Sequence, residues 1–163
     1  MTAGPRLPAR LLAEPVHFLA LGFGTGLSPW APGTLGSLAA LPLAWLTLDL
    51  PWPGRIAVVA IAILAGVYIC GESARRIGVH DHSGIVWDEI AAMLLLSLLL
   101  PGGRMWLLPA FVFFRFFDIA KPWPIRDLDH RLRGGLGIML DDLMAAFYTA
   151  VCLQILTYIQ QFA

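Results

Sequence analysis

The chain has 163 residues, of which 58% are hydrophobic and only 13% are charged, and its formal net charge at pH 7 is zero. This composition is too apolar for an ordinary soluble domain and predicts an integral membrane protein. Because no basic stripe is present to neutralise a phosphate backbone, nucleic acid is not expected as a partner.

Five apolar segments follow one another along the chain, at residues 34–50, 56–71, 86–100, 105–120 and 138–159. A helix needs about 20 residues to cross a bilayer, so the shorter segments require tilt, local thinning or incomplete crossing. The pattern predicts an all-α, polytopic integral membrane helix bundle of about five spans, forming a single domain over residues 1–163. Residues 16–23 are too few to span and are predicted to form an interfacial or re-entrant helix.

A glycine-rich stretch and a proline turn precede the first span. Ser28 begins a rigid loop that ends in Pro32, Gly33 and Thr34, and Thr34 is predicted to cap the first spanning helix. Ser28 and Thr34 also offer hydroxyl groups to a phosphate, although an ordinary turn explains the same residues.

The charged residues are distributed unequally between the two membrane faces. Alternating spans place ten of the eleven acids, nine of the eleven bases and all four histidines on one face, here called the polar face. Only Asp49, Arg55 and Arg104 fall on the opposite face. Basic residues collect on the cytoplasmic side of membrane proteins, so the polar face is predicted to be cytoplasmic.

One acidic group on the polar face lies at the mouth of the third span. Asp88 and Glu89 directly precede an unbroken apolar run, after the sequence His80, Asp81 and His82. One explanation for these two acids is helix capping, because the helix dipole favours acids at a helix start. The other is a cation site, because a buried carboxylate requires a counter-charge. The histidines could bind metal, but solvated or hydrogen-bonding roles beside a site are favoured.

A second group belongs to the fourth span, where Arg115, Asp118 and Lys121 recur every three residues and are predicted to share one helix face. Arg115 and Asp118 could form an ion pair, or the carboxylate could bind a metal while the cations bind phosphate, and both can hold together.

A third group opens the fifth span, where Asp141 and Asp142 follow a run of glycines. The glycines at 134, 135 and 137 could supply backbone amides to an oxyanion, or they could simply give flexibility. Small residues at 145 and 146 predict that Asp142 points into the bundle.

Together these groups offer oxygen ligands from three helices with cations beside them. Such hard ligands select Mg²⁺ or a similar ion, and Mg²⁺ with carboxylates and bases suits phosphate chemistry. At a lipid interface, the phosphate is expected to belong to a phospholipid head group. An ion or small-solute carrier is the alternative, since intramembrane carboxylates also mark ion pathways, but the acids collect at one mouth and the halves do not repeat.

Long, ordered strings of the chain resemble the phosphatidylglycerophosphatase A family. They are GFGTGLSP from position 22, APGTLGS from 31, GVHDH from 78, VWDE from 86, RFFD from 115, KPWPIR from 121 and GGLGIMLDD from 134. The resemblance implies a bacterial inner-membrane, Mg²⁺-dependent phosphatase that converts phosphatidylglycerophosphate to phosphatidylglycerol.

The expected site residues follow from these strings. Metal ligands are expected among the five acids Asp88, Glu89, Asp118, Asp141 and Asp142, and phosphate ligands among the bases Lys121, Arg115 and Arg126. The residues expected to be catalytic are Asp88, Glu89, Asp118, Lys121 and Asp142. Whether an aspartate or a water molecule attacks phosphorus stays open, with water favoured because every carboxylate is wanted as a ligand.

Overall fold

A computed structural model describes residues 7–79, 82–125 and 134–162 of the chain. These residues are helical with no strand among them, which confirms the all-α class. The α-helices over the described ranges are α1 (Pro15–Ala20), α2 (Pro32–Thr47), α3 (Trp52–Ile77), α4 (Trp87–Leu99), α5 (Leu107–Ala120) and α6 (Gly134–Gln160). Short 3₁₀ segments cover Ala9–Ala13, Gly22–Leu27 and Arg104–Trp106.

Contacts between residues show which helix ends lie together at each end of the bundle. At one end, here called the polar end, Lys121 after α5 meets Asp141 of α6, and Gly33 of α2 meets Glu89 of α4. At the other, here called the opposite end, Asp49 after α2 pairs with Arg104 before α5. The long helices therefore alternate in direction, as the five apolar segments predicted.

Helix α4 is the centre of the bundle. It packs against α2, α3, α5 and α6, and nine of its thirteen residues are buried. Its unbroken apolar run explains this position, because a helix that is hydrophobic all round has no face suited to water. The two acids that begin α4 are thereby carried into the interior of the bundle.

Glycine allows α3 and α6 to approach closely. A Cβ atom on Gly135 would overlap the carbonyl oxygen of Val67 and crowd the backbone nitrogen of Gly71. At Gly135 the absence of a side chain serves close helix packing, a role that was not predicted from the sequence; the supply of backbone amides to an oxyanion stays a prediction. Small residues at helix crossings commonly serve this packing role.

Several helix ends differ from their predicted positions. Helix α2 begins at Pro32 after Ala31, so Thr34 lies inside the first turn and the prediction that it caps the helix is wrong. Proline is pre-organised for the first helical position, which explains the earlier start. The predicted helix at residues 16–23 is observed as α1 followed by the 3₁₀ segment Gly22–Leu27.

Two described helices, α3 and α6, are long and apolar enough to cross a membrane. Large apolar side chains are exposed on the outer surfaces of the bundle, among them Leu64 at 73%, Ile119 at 67% and Phe116 at 62%. Apolar surface of this extent is typical of a protein that contacts lipid or a partner. The number of spans stays a prediction, since α2, α4 and α5 are shorter.

Candidate active site

Three carboxylates from two helices meet inside the polar end. Asp88 and Glu89 lie in the first turn of α4, and Asp142 lies two turns inside α6. One oxygen of each lies within 4.8 Å of the others. All three residues are at least 91% buried. The predicted inward direction of Asp142 is confirmed, and Ala145 and Ala146 one turn later are fully buried.

These carboxylates lack the partners that burial normally requires. One oxygen each of Asp88 (Oδ1), Glu89 (Oε2) and Asp142 (Oδ2) is buried without a hydrogen-bond partner among the described residues. Buried polar atoms are nearly always paired, and neighbouring negative charges repel strongly where water is excluded. A hard cation would coordinate the unpaired oxygens and would also offset the repulsion between the carboxylates. A set of ligands made up of oxygens alone fits Mg²⁺.

An ion pair from α5 lies beside the carboxylates. Arg115 Nη1 is 2.5 Å from Asp118 Oδ2 and 3.8 Å from Glu89 Oε1. Of the two alternatives for Arg115 and Asp118, the ion pair is observed, and metal binding by Asp118 stays a prediction. Asp118 is close enough to act electrostatically on Glu89 and Asp142. It therefore remains a neighbour of the three-carboxylate group in addition to being paired with arginine.

Lys121 reaches the same region from beyond the end of α5. Its Nζ donates to Asp141 Oδ2 at 2.6 Å, and both side chains are mostly buried. Its backbone is left-handed, with φ +40°, and its N–H closes the helix on the carbonyl of Phe117. The prediction that Lys121 continues the helix face of Arg115 and Asp118 is wrong, because the following Pro122 disfavours helical geometry at this residue.

The first two turns of α2 contribute residues that the sequence pattern did not identify as part of the site. A Cβ atom on Gly33 would collide with Glu89 Oε1 and lie 3.3 Å from Arg115 Nη1. Ser37 Oγ donates to the carbonyl of Gly33 and accepts from Arg115 Nη1 at 3.4 Å. The spacing of four between Gly33 and Ser37, two small residues on one helix face, was the available signal.

The weaker candidates have local roles where the structure describes them. Ser28 Oγ bonds to the backbone of Trp30, and His82 Nδ1 accepts the N–H of Gly84, so both stabilise turns. Thr34 is half-buried in the first turn of α2. The remaining candidates, His80, Asp81 and Arg126, lie outside the described residues.

A buried polar contact outside the carboxylate group was also missed. His17 of α1 is 98% buried and Ser73 of α3 is fully buried. The distance from His17 Nδ1 to Ser73 Oγ is 2.9 Å. Glu14 at the start of α1 pairs with Arg76 of α3 at 2.7 Å. These contacts fix the short α1 helix to α3, and a lone histidine among apolar residues gave no signal specific enough to predict them.

The arrangement combines an acidic interior with basic side chains at its border. Three buried carboxylates can hold a divalent cation. Arg115 lies 3.8 Å from one of them, Glu89, and Lys121 pairs with Asp141, which precedes Asp142 in the chain. Such a combination is suited to a ligand that carries its own charge, of which a phosphate monoester is the common case.

Comparison with known proteins identifies the relatives of the chain. Residues 18–157 match the family described as phosphatidylglycerophosphatase A. A protein of that name from Escherichia coli is 48% identical over 85% of this chain and 81% of the relative. Another of that name, from Haemophilus influenzae, is 42% identical over 97% of this chain and 98% of the relative.

A third relative differs in name. A protein of Bacteroides thetaiotaomicron with the provisional name phosphatidylinositol-3-phosphatase is 33% identical over 85% of this chain and 91% of the relative. No solved structure matches the chain.

Proposed function

Because this chain belongs to the phosphatidylglycerophosphatase A family, we propose that it hydrolyses the terminal phosphate monoester of phosphatidylglycerophosphate, giving phosphatidylglycerol and phosphate. The observation that carries this proposal is the buried group of Asp88, Glu89 and Asp142 with cationic side chains at its border. Transfer of a phosphoryl group depends mainly on positioning and charge neutralisation, for which this arrangement is suited.

We further propose that Asp88, Glu89 and Asp142 hold Mg²⁺. Support comes from their unpaired buried oxygens and from the hard, all-oxygen character of the set. A bound Mg²⁺ would polarise the phosphoryl oxygens and offset the charge of the carboxylates. Asp118 and Asp141, each paired with a base, would act at the edge of this group and keep the bases oriented.

The two bases at the border would bind the phosphate oxygens of the lipid. Arg115 offers a planar fork of donors, whereas Lys121 offers a compact charge. Each is already held by a carboxylate, so little side-chain freedom would be lost when the phosphate arrives. Arg126 is proposed as a further phosphate ligand on the basis of its sequence position alone.

The proposed reaction takes place at the cytoplasmic face of a bacterial inner membrane that the five long helices cross. Support comes from the apolar outer surface of the bundle and from the concentration of basic residues on the polar face. Single cysteines at Gly78 and Pro53 should label from opposite sides of sealed inverted and right-side-out vesicles, with position 78 accessible from the cytoplasm. Labelling of both from one side would contradict the alternating arrangement.

Phosphate release from the purified chain tests the activity. The lipids are phosphatidylglycerophosphate, phosphatidic acid and phosphatidylinositol 3-phosphate, the last chosen because of the third relative, each with Mg²⁺ or with chelator. We expect release from phosphatidylglycerophosphate that requires the divalent ion. Asp142→Asn should abolish it, whereas Asp49→Asn at the opposite end, a matched charge removal, should leave turnover in place. Release from none of the lipids under any divalent ion would refute the proposal.

Metal binding can be measured without turnover. Mg²⁺ should raise the thermal unfolding temperature of the wild-type chain in detergent, because a ligand that binds only the folded state stabilises it. Asp142→Asn should lose this increase, since one of three ligands has lost its charge. An equal increase in both proteins would exclude Asp142 as a ligand.

A further inference from the structure

A cavity of about 500 Å³ lies at the opposite end of the bundle, away from the carboxylates. Its lining includes Trp52, Arg55, Leu98, Leu100, Gly103 and Arg104. Its volume falls within the range of ordinary small-molecule sites. The cavity wall therefore contains two arginines, although the chain places only three formally charged residues at this end.

The two arginines are held in place by their own contacts. Arg55 donates to the carbonyls of Leu48 and Leu50, at 2.6 and 3.0 Å, and so closes the end of α2. Arg104 pairs with Asp49, and its guanidinium lies 4.9 Å from the ring centre of Trp45. With one aspartate and two arginines, this end has a net charge of +1.

One donor atom of these arginines lacks a partner within the part of the chain that the structure describes. Arg104 Nε is buried and has no hydrogen-bond partner in the described parts of the chain. Basic residues are also disfavoured on the side of a membrane protein that faces away from the cytoplasm, and with Asp49 paired to Arg104, Arg55 lacks a compensating negative charge among the described residues. A phosphate diester provides it, because its oxygens accept charge-assisted hydrogen bonds from guanidinium groups.

We propose that this cavity binds the head group of an anionic phospholipid from the leaflet opposite the carboxylate site. The phosphate would contact Arg104 and Arg55, and the glycerol and first methylenes would pack against Leu98, Leu100 and Trp52. A phospholipid with one net negative charge would balance the net charge of this end. The cavity lies at the helix ends, where a head group would be found, and this proposal rests on the membrane-spanning arrangement proposed above.

Gly103 allows a test that leaves the arginines in place. A Cβ atom there would meet nothing within 4 Å, and its φ of −63° suits any residue. Gly103→Glu would add a negative charge to the cavity wall, whereas Gly103→Gln would add the same bulk without charge. Like charges placed together in a binding site strongly oppose association.

The experiment measures lipid binding to the full chain in detergent by native mass spectrometry. Phosphatidylglycerol and phosphatidylcholine with identical acyl chains serve as probes, and glycerol phosphate and inorganic phosphate serve as soluble competitors. We expect wild type and Gly103→Gln to retain one phosphatidylglycerol molecule that Gly103→Glu binds at least tenfold more weakly. Arg104→Gln should weaken the same binding event.

Two results would overturn the proposal. Equal phosphatidylglycerol binding by Gly103→Glu and Gly103→Gln would show that the cavity is not its site. Displacement by millimolar glycerol phosphate or inorganic phosphate, with no preference over phosphatidylcholine, would refute a lipid ligand in favour of a soluble anion. Neither result depends on turnover, so failure here is distinguishable from failure of the phosphate-release assay.

Discussion

Replacement of Lys121 by methionine should damage stability and turnover for separable reasons. The ammonium lies 2.6 Å from Asp141 Oδ2, and the two side chains are only 17% and 10% exposed. Lys121→Met keeps an unbranched side chain only one atom shorter but leaves a buried carboxylate without this cation. Breaking a buried pair from one side costs about 3 kcal/mol of folding free energy. If this ammonium stabilises the phosphoryl oxygens in the transition state, as proposed, its loss should also lower kcat about a hundredfold, which corresponds to about 3 kcal/mol.

A double-mutant cycle separates the two effects. Asp141→Asn added to Lys121→Met removes the buried charge that caused the destabilisation, so the unfolding temperature should return toward wild type. Turnover should not return, because the cation is still missing. Lys121→Arg should recover part of kcat, since a planar fork replaces a compact charge imperfectly.

The assays are thermal unfolding in detergent and phosphate release at saturating lipid and Mg²⁺. Arg75→Met is the matched control: Arg75 is a cation at the same end, 2.8 Å from Glu72, but its side chain is 73% exposed. Exposed pairs contribute little, so this variant should resemble wild type in both assays. Recovery of turnover in the Lys121→Met, Asp141→Asn double mutant would refute the catalytic role and leave Lys121 as a counter-charge for Asp141.

Three further variants test other contacts. Asp118→Asn should reduce activity by several orders of magnitude if Asp118 serves the site, and recovery of activity on adding Arg115→Met would assign it to the ion pair alone. Ser37→Ala should lower kcat less than tenfold, because its 3.4 Å contact with Arg115 is long; a hundredfold loss would contradict this. Gly135→Ala should destabilise the bundle by more than about 3 kcal/mol, because the added Cβ would overlap the α3 backbone. Gly54→Ala is the control, since its added Cβ meets only ordinary contacts. Equal unfolding temperatures of the two variants would contradict the close packing.

The helices could be predicted because each is a long apolar run bounded by proline, glycine or charge. The exact ends could not, since a helix continues where neighbours support it: α3 extends to Ile77, beyond its apolar run, where Glu72 and Arg76 pair one turn apart. The start of α2 at Pro32 is a local effect that proline chemistry explains after the fact.

The acidic site was predicted in composition but not in arrangement. Asp88, Glu89 and Asp142 could be expected together because all three open apolar helices on one face. Asp141 is also buried, in its pair with a lysine. Which of the two adjacent aspartates joins the carboxylate group could not be predicted, because adjacent residues on a helix point about 100° apart and only packing decides which neighbours each one meets. The contact between Gly33 and Glu89 depends on the approach of α2 to α4, which no local pattern encodes.

The shortness of α4 has a consequence for the depth of the reaction. Its thirteen residues rise about 20 Å, against a hydrocarbon core of about 30 Å. If Leu99 reaches the outer boundary of that core, Asp88 and Glu89 begin about 10 Å below the inner one. Water and ions must then enter a depression in the leaflet at the polar end, or that leaflet must thin there. To reach the carboxylates, the phosphate of a lipid would move toward the membrane interior together with its acyl chains. A soluble phosphate ester has no acyl chains to favour that movement.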